Sequence, residues 1–291
     1  MQPLSVEDRD KLQSETSMQV SWHGQLPVLS YQLFSGYPHV SNIVSTRLGG
    51  VSEGPYASLN LALSTADDLQ HVLENRRRLC AAVNIELERL TIAQLVQGTR
   101  IAVVTEDLRG IGSVDRATAL QGTDGLLTNL PNTPLAALVA DCAVVSYFDP
   151  VHQVIALAHA GWRGTAGQIA YNMVTTMQRE FGCHPQDILV GISPNLSGHH
   201  FQVRQDVLDI FRAAGSYGDQ ADCYFTRQED GSYLLDLNAA LVAQLEAAGI
   251  SSDHIEISGI CTACRLDLFY SHRFEHGTTG RFCGLIVLRS E

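Results

Sequence analysis

Hydrophobic residues along the chain fall mainly into short blocks. Tyr31 to Phe34, Asn42 to Thr46, Ile92 to Val96, Arg100 to Val104, Leu135 to Asp149, Val154 to Leu157, Ile188 to Ile192, Tyr233 to Leu235, His254 to Ile260 and Phe282 to Leu288 each predict a strand. Other stretches carry the helical period instead. Leu69, Val72, Leu73, Leu79 and Val83 follow a capping aspartate, Asp67 or Asp68. Ile169, Met173, Met177 and Phe181 make one stripe over Gln168 to Phe181, and their methionines read as core. Val207 to Ala214 is helical, and Asp236 caps a helix from Leu237 to Ala248 with Leu241, Leu245 and Ala248 inward. Strands and helices mix without regular βαβ alternation, so the fold class is α+β. Residues 1–27 are polar and read as an N-terminal arm or edge segment, ahead of one domain over residues 28–291.

The stretch from Asp141 to Gly164 draws attention next. Val144 to Phe148 and Val154 to Leu157 flank Asp149-Pro150-Val151-His152, a turn signal. A hairpin centred between residues 150 and 151 pairs Cys142 directly with His159, their Cβ atoms roughly 5 Å apart on one face. A thiol and an imidazole so placed can form a thiolate–imidazolium pair or share a metal ion. The Gly161-Trp162-Arg163-Gly164 that follows lets a substrate or backbone approach closely.

Charge narrows the partners. The 291 residues carry a formal net charge of −12, which argues against a nucleic-acid or anionic-membrane partner. Neither a signal peptide nor a membrane-length apolar run is evident. Seven scattered cysteines, an odd number, read as reduced cytosolic thiols.

Elsewhere the chemistry is less focused. Arg47 beside Gly49-Gly50 could hold an anion or be a surface turn. Asn75-Arg76-Arg77-Arg78 on the first helix reads mainly as solvated, with one arginine facing an acidic partner. Cys261-Thr262-Ala263-Cys264 with His272, His276 and Cys283 invites a zinc reading, but the spacing is short for a finger. His199-His200 could ligate copper, yet the chain has no His-x-His element, so copper oxidase chemistry is poorly supported. No nucleophile elbow, P-loop or Rossmann fingerprint is present.

Taken in order, Thr46-Arg47-Leu-Gly-Gly-Val-Ser, Ser58-Leu-Asn60-Leu, Glu74-Asn75-Arg76, Ala140-Asp141-Cys142, His159-Ala-Gly-Trp-Arg-Gly164, Phe201-Gln-Val203, Cys261-Thr262, Ser271-His-Arg273 and Thr279-Gly-Arg281 resemble the YfiH/YlmD-type family, once described as laccase-like polyphenol oxidase. The resemblance implies a cytoplasmic, single-domain α/β/β/α sandwich related to toxin deamidases. It implies phosphorolysis of purine nucleosides (adenosine, inosine, methylthioadenosine) and adenosine deamination at a zinc site. Purine nucleosides and phosphate would be the partners, and the chain a monomer or homodimer. Cys142 and His159 become catalytic residues and metal ligands. The third ligand, a histidine in the family, falls on Gln97 of Leu95-Val96-Gln97-Gly98. Arg47, Asn60 and Arg163 become substrate-binding candidates, with Arg47 the first choice for phosphate because a guanidinium matches its oxygens bidentately.

The glutamine keeps two alternatives open. Cys142 could be a metal-free nucleophile activated by His159 that hydrolyses an amide of a peptidoglycan precursor. The chain could also be a degenerate relative that binds nucleosides without turning them over.

Overall fold

The structure is a computed structural model, and residues 12–214 and 217–290 are described. Two large sheets lie face to face. The first runs, edge to edge, through Gln19–His23, Leu26–Ser30, Val40–Ser45, Phe282–Leu288, Leu135–Val139, Thr91–Gln94 and Leu120–Gln121. The second runs through Ile255–Ile257, Leu189–Ile192, Ala143–Asp149, Val154–Ala160, Gly125–Thr128 and Ile101–Val103. Most neighbours are antiparallel, with parallel pairs toward the edges.

Strand alternation sorts the side chains into layers. Val144, Phe148, Ile155 and Leu157 of the second sheet meet Leu135, Ala137, Val139, Phe282 and Ile286 of the first in a core between the sheets. The opposite face of the second sheet, Val145, Tyr147, Ala156 and Ala158, packs on the helices Ile169–Phe181 and Leu237–Ala247 through Met173, Met177, Leu241 and Leu245. The outer face of the first sheet, Ala136, Cys283, Leu285 and Val287, packs on the helix Leu69–Ala82 through Leu79 and Cys80. The architecture is the expected α+β sandwich, helix layer outside each sheet.

Local signals account for the helix starts. Asp68 accepts the N–H groups of Gln70 and His71, and Asp236 that of Ala239. Tyr31 to Phe34 differs from its expected strand: Gln32–Phe34 is a 3-10 turn. The preceding Leu26–Ser30 already supplies the strand, and Phe34 folds back to set its ring against Phe148 at 6.2 Å. The boundary drawn after residue 27 falls inside that strand, so residues 19–30 form a hairpin at the sheet edge. The part of the N-terminal arm before residue 12 lies outside the described residues. Among the described residues no helix is long and apolar enough to cross a membrane.

Candidate active site

The site begins where the chain changes sheets. Leu135–Val139 belongs to the first sheet and Ala143–Asp149 to the second, so Ala140, Asp141 and Cys142 carry the chain across the seam. Asp141 turns the corner in the left-handed region, φ 81°. Its carbonyl accepts the N–H of Leu196 at 2.9 Å, and its carboxylate accepts the Thr262 hydroxyl and the Arg273 N–H, each at 2.7 Å. Cys142 is thereby fixed at the rim of the core between the sheets.

His159 meets it from the neighbouring strand, in a register that corrects the expected one. His159 pairs with Val144, and Ala160 with Ala143. The turn is longer than expected because Asp149 Oδ1 accepts the N–H groups of both Val151 and His152, and Gln153 takes a positive φ of 53°. The offset is two residues, which preserves the face, so Cys142 lies diagonal to His159 on the same side.

A third residue completes the arrangement. Asp124 precedes the strand Gly125–Thr128, which pairs with the His159 strand. Its carbonyl accepts the His159 N–H at 2.7 Å, and its Oδ1 lies 2.8 Å from His159 Nδ1. The same carboxylate accepts the N–H groups of Val96, Gln97 and Gly98. Burial opposes its charge, but His159 and these backbone donors outweigh burial and hold the carboxyl below the usual range. Burial likewise disfavours an imidazolium at His159, yet the Cys142 charge and the Asp124 carboxylate overcome it and push the pKa up to about 9. The geometry is thiol, imidazole, carboxylate in sequence.

Gln97 stands at the third-ligand position, with φ 60°. A Cβ on Gly161 would lie 3.0 Å from Cys142 Sγ and 3.4 Å from Gln97 Oε1, so glycine is what lets the two side chains converge there. Arg163 Nη1 donates to Gln97 Oε1 at 3.4 Å, and its guanidinium sits over the Trp162 ring. A catalytic zinc takes three protein donors and leaves a fourth position open. Here only Cys142 and His159 are strong donors. An amide oxygen is a weak third, and a guanidinium beside it disfavours a divalent cation. The residues present do not fit the zinc site that the resemblance implies.

Cys142 and His159 open into a cavity of about 310 Å³, within the range of small-molecule pockets. Its lining combines apolar side chains, Ile92, Leu138 and Val139 among them, with Arg76, Arg116, His272 and Arg281. Arg76 is buried and donates to the carbonyls of Leu61, Gly112 and Ser113, rather than to an acidic partner. Burial depresses the Arg281 pKa, and the Cys142 charge is its foremost counterweight.

The other expected substrate residues lie elsewhere or act indirectly. Arg47 does not line the cavity. It is buried, pairs with Glu275 at 3.0 Å, donates to the carbonyls of Ala57 and Leu266, and lies over the Tyr270 ring. Asn60 is fully buried, and its Oδ1 accepts the N–H of Arg281 at 2.9 Å. Asp124 and Arg281 escaped the reading of the sequence as site residues. Asp124 sits in Thr123-Asp124-Gly125, where a turn explains the aspartate equally well. Arg281 lies inside a quoted motif but has no neighbour in sequence that marks its role.

Comparison with known proteins agrees with this fold. The chain belongs to the family described as multi-copper polyphenol oxidoreductase laccase, whose profile matches residues 41–289. It is 41% identical over 248 residues to the purine nucleoside phosphorylase YlmD of Geobacillus stearothermophilus, covering 85% of this chain and 90% of that one. It is 31% identical over 243 residues to adenosine deaminase RL5 of an unknown prokaryotic organism, covering 83% and 92%. The crystal structure of YlmD from Geobacillus stearothermophilus superposes with a TM-score of 0.89 at 37% identity, covering 94% of this chain and all of that one.

Proposed function

We propose that the protein is a purine nucleoside phosphorylase that also deaminates adenosine, working in the cavity at Cys142, His159 and Asp124. The observation that carries this reading is the make-up of the cavity's lining, which combines apolar side chains suited to a purine with the guanidinium groups of Arg116 and Arg281, suited to phosphate. The named relatives support the same class of substrate. In phosphorolysis a phosphate oxygen attacks ribose C1′ as the bond to the base nitrogen breaks. The electron pair leaves with the purine, which takes a proton. His159, kept protonated by Cys142 and Asp124, supplies that proton as a general acid. Arg281 and Arg116 hold the phosphate, a role that the sequence first suggested for Arg47. A cytoplasmic setting belongs to the same reading, supported by seven free cysteines.

The test is release of hypoxanthine from inosine, and of adenine from adenosine, by protein purified without a histidine tag. Base release that requires phosphate and disappears in Cys142→Ala and His159→Ala supports the reading. Base release independent of phosphate, or unchanged in both variants, overturns it.

One observation favours a second reading. A thiol, imidazole and carboxylate in this order, with Gln97 where a metal ligand would stand, match a cysteine hydrolase. Cys142 would then attack the amide carbonyl of a cell-wall precursor. Rapid alkylation of Cys142 near neutral pH without nucleoside turnover would favour it.

A further inference from the structure

Away from the cavity, two loops distant in sequence bring together the histidine pair and the Cys-x-x-Cys. The ligand atoms of His199, His200, Cys261 and Cys264 all lie within 4.8 Å of one another. His199 Nε2 is 3.2 Å from Cys264 Sγ, and His200 Nδ1 is 3.6 Å from both Cys261 Sγ and Cys264 Sγ. These separations are close to the edges of a tetrahedron: with metal–sulfur bonds of ~2.3 Å and metal–nitrogen bonds of ~2.0–2.1 Å, neighbouring sulfur and nitrogen ligands lie about 3.5 Å apart. Both cysteines are free thiols, Cys261 buried and Cys264 exposed. Cys261 does not meet His272, which lines the cavity instead.

We propose that His199, His200, Cys261 and Cys264 form a second, structural zinc site. Two thiolates and two neutral imidazoles are a donor set that zinc takes readily, and four protein ligands close the site to water and substrate. Such a site holds structure and performs no hydrolysis. Its setting says what it would hold. The loop over residues 194–201 and the Cys261 loop are already joined, Asn195 N–H to the Ile260 carbonyl and Thr262 N–H to the Asn195 carbonyl. Both loops also grip Asp141, through the Leu196 N–H and the Thr262 hydroxyl. A metal that clamps the loops together therefore fixes the corner on which Cys142 sits. His200 is steadied from outside by the Phe274 ring, edge-on at 5.1 Å. The proposal does not depend on which substrate the cavity takes.

The experiment is metal loading in a Cys142→Ala background, which removes the cavity thiol from the count. Protein purified without a histidine tag is stripped by chelator under reducing conditions and reloaded with zinc or cobalt(II). About one equivalent should bind, and cobalt should show tetrahedral absorption with thiolate charge transfer. Adding Cys264→Ser or His199→Ala, both exposed positions, should weaken cobalt binding by at least about 10–100-fold, the loss expected even when only an outer partner of a ligand is removed. X-ray absorption at the zinc edge of the Cys142→Ala protein reads the ligands without altering them, and should give two sulfurs and two nitrogens. No metal uptake by Cys142→Ala, uptake unchanged by both added variants, or a shell without sulfur would overturn the proposal.

Discussion

His159 and Asp124 are joined twice: the backbone N–H of His159 donates to the Asp124 carbonyl at 2.7 Å, and its ring Nδ1 lies 2.8 Å from the Asp124 carboxylate. The double link fixes the ring's position, with Nδ1 as the donor to Asp124 and the other nitrogen left on the side of Cys142.

Asp124→Asn should lose rate by about 10²–10⁴, the range for a mispositioned catalytic imidazole. A diagnostic readout is the pH profile. His159 has a raised pKa, so its imidazolium is present below about 9 and is lost as pH rises through that value. Removing the Asp124 charge lowers that pKa, and the alkaline limb of kcat/KM moves to lower pH. A profile unchanged in position would show that Asp124 serves only the fold.

Gln97→His should turn the two-donor site into a three-donor one. Its zinc content should exceed the parent's by about one equivalent, measured by mass spectrometry of the metal. Equal metal content in parent and variant would show that Gln97 does not set metal binding.

Arg281→Gln and Arg47→Ala separate substrate binding from structure. Arg281→Gln should raise the KM for phosphate by about tenfold or more, the effect of losing a charge-assisted hydrogen bond worth about 1.5–3 kcal/mol. Arg47→Ala should cost about 2–4 kcal/mol of stability by denaturant titration, because it removes the buried cation that pairs with Glu275 Oε1 and the donor to two carbonyls. Phosphate KM of the folded Arg47→Ala protein should stay as in the parent. The reverse pattern would return phosphate binding to Arg47.

Gly161→Ala tests the convergence on that residue. Its Cβ would press on Cys142 Sγ at 3.0 Å and on Gln97 Oε1 at 3.4 Å. The thiol must shift by a few tenths of an ångström, so kcat should fall measurably but by less than the roughly 10²-fold that a 1 Å misplacement costs, with little change in thermal midpoint. Unchanged kcat would mean that the Cys142 side chain has room to spare.

Much of this was legible in the chain because it is local. Asp68 and Asp236 announce their helices by side chains that reach only two or three residues ahead. The Cys142–His159 face survived an error in register because a two-residue offset conserves side-chain direction. What was not legible depends on contacts between distant segments. Asp124 is a turn residue until the strand after it is known to pair with the His159 strand. Arg47 looks like an anion site until Glu275, far along the chain, is placed beside it. His199 and His200 had no partners in sequence, and the Cys-x-x-Cys was matched with histidines on the wrong side of it. Spacing rules find sites built from one loop, and this cluster is built from two.

The crossing at Ala140, Asp141 and Cys142 makes the cavity a gauge of how the two sheets are aligned. Leu138 and Val139 come from the first sheet, Arg281 from just before its strand Phe282–Leu288, His159 from the second sheet, and Cys142 from the crossing between them. A slide of one sheet over the other would shift Arg281 against His159 while leaving each sheet intact. Substitutions deep in the layer between the sheets, at Phe148 or Phe282, should therefore register first as slower turnover, at temperatures where the protein is still fully folded.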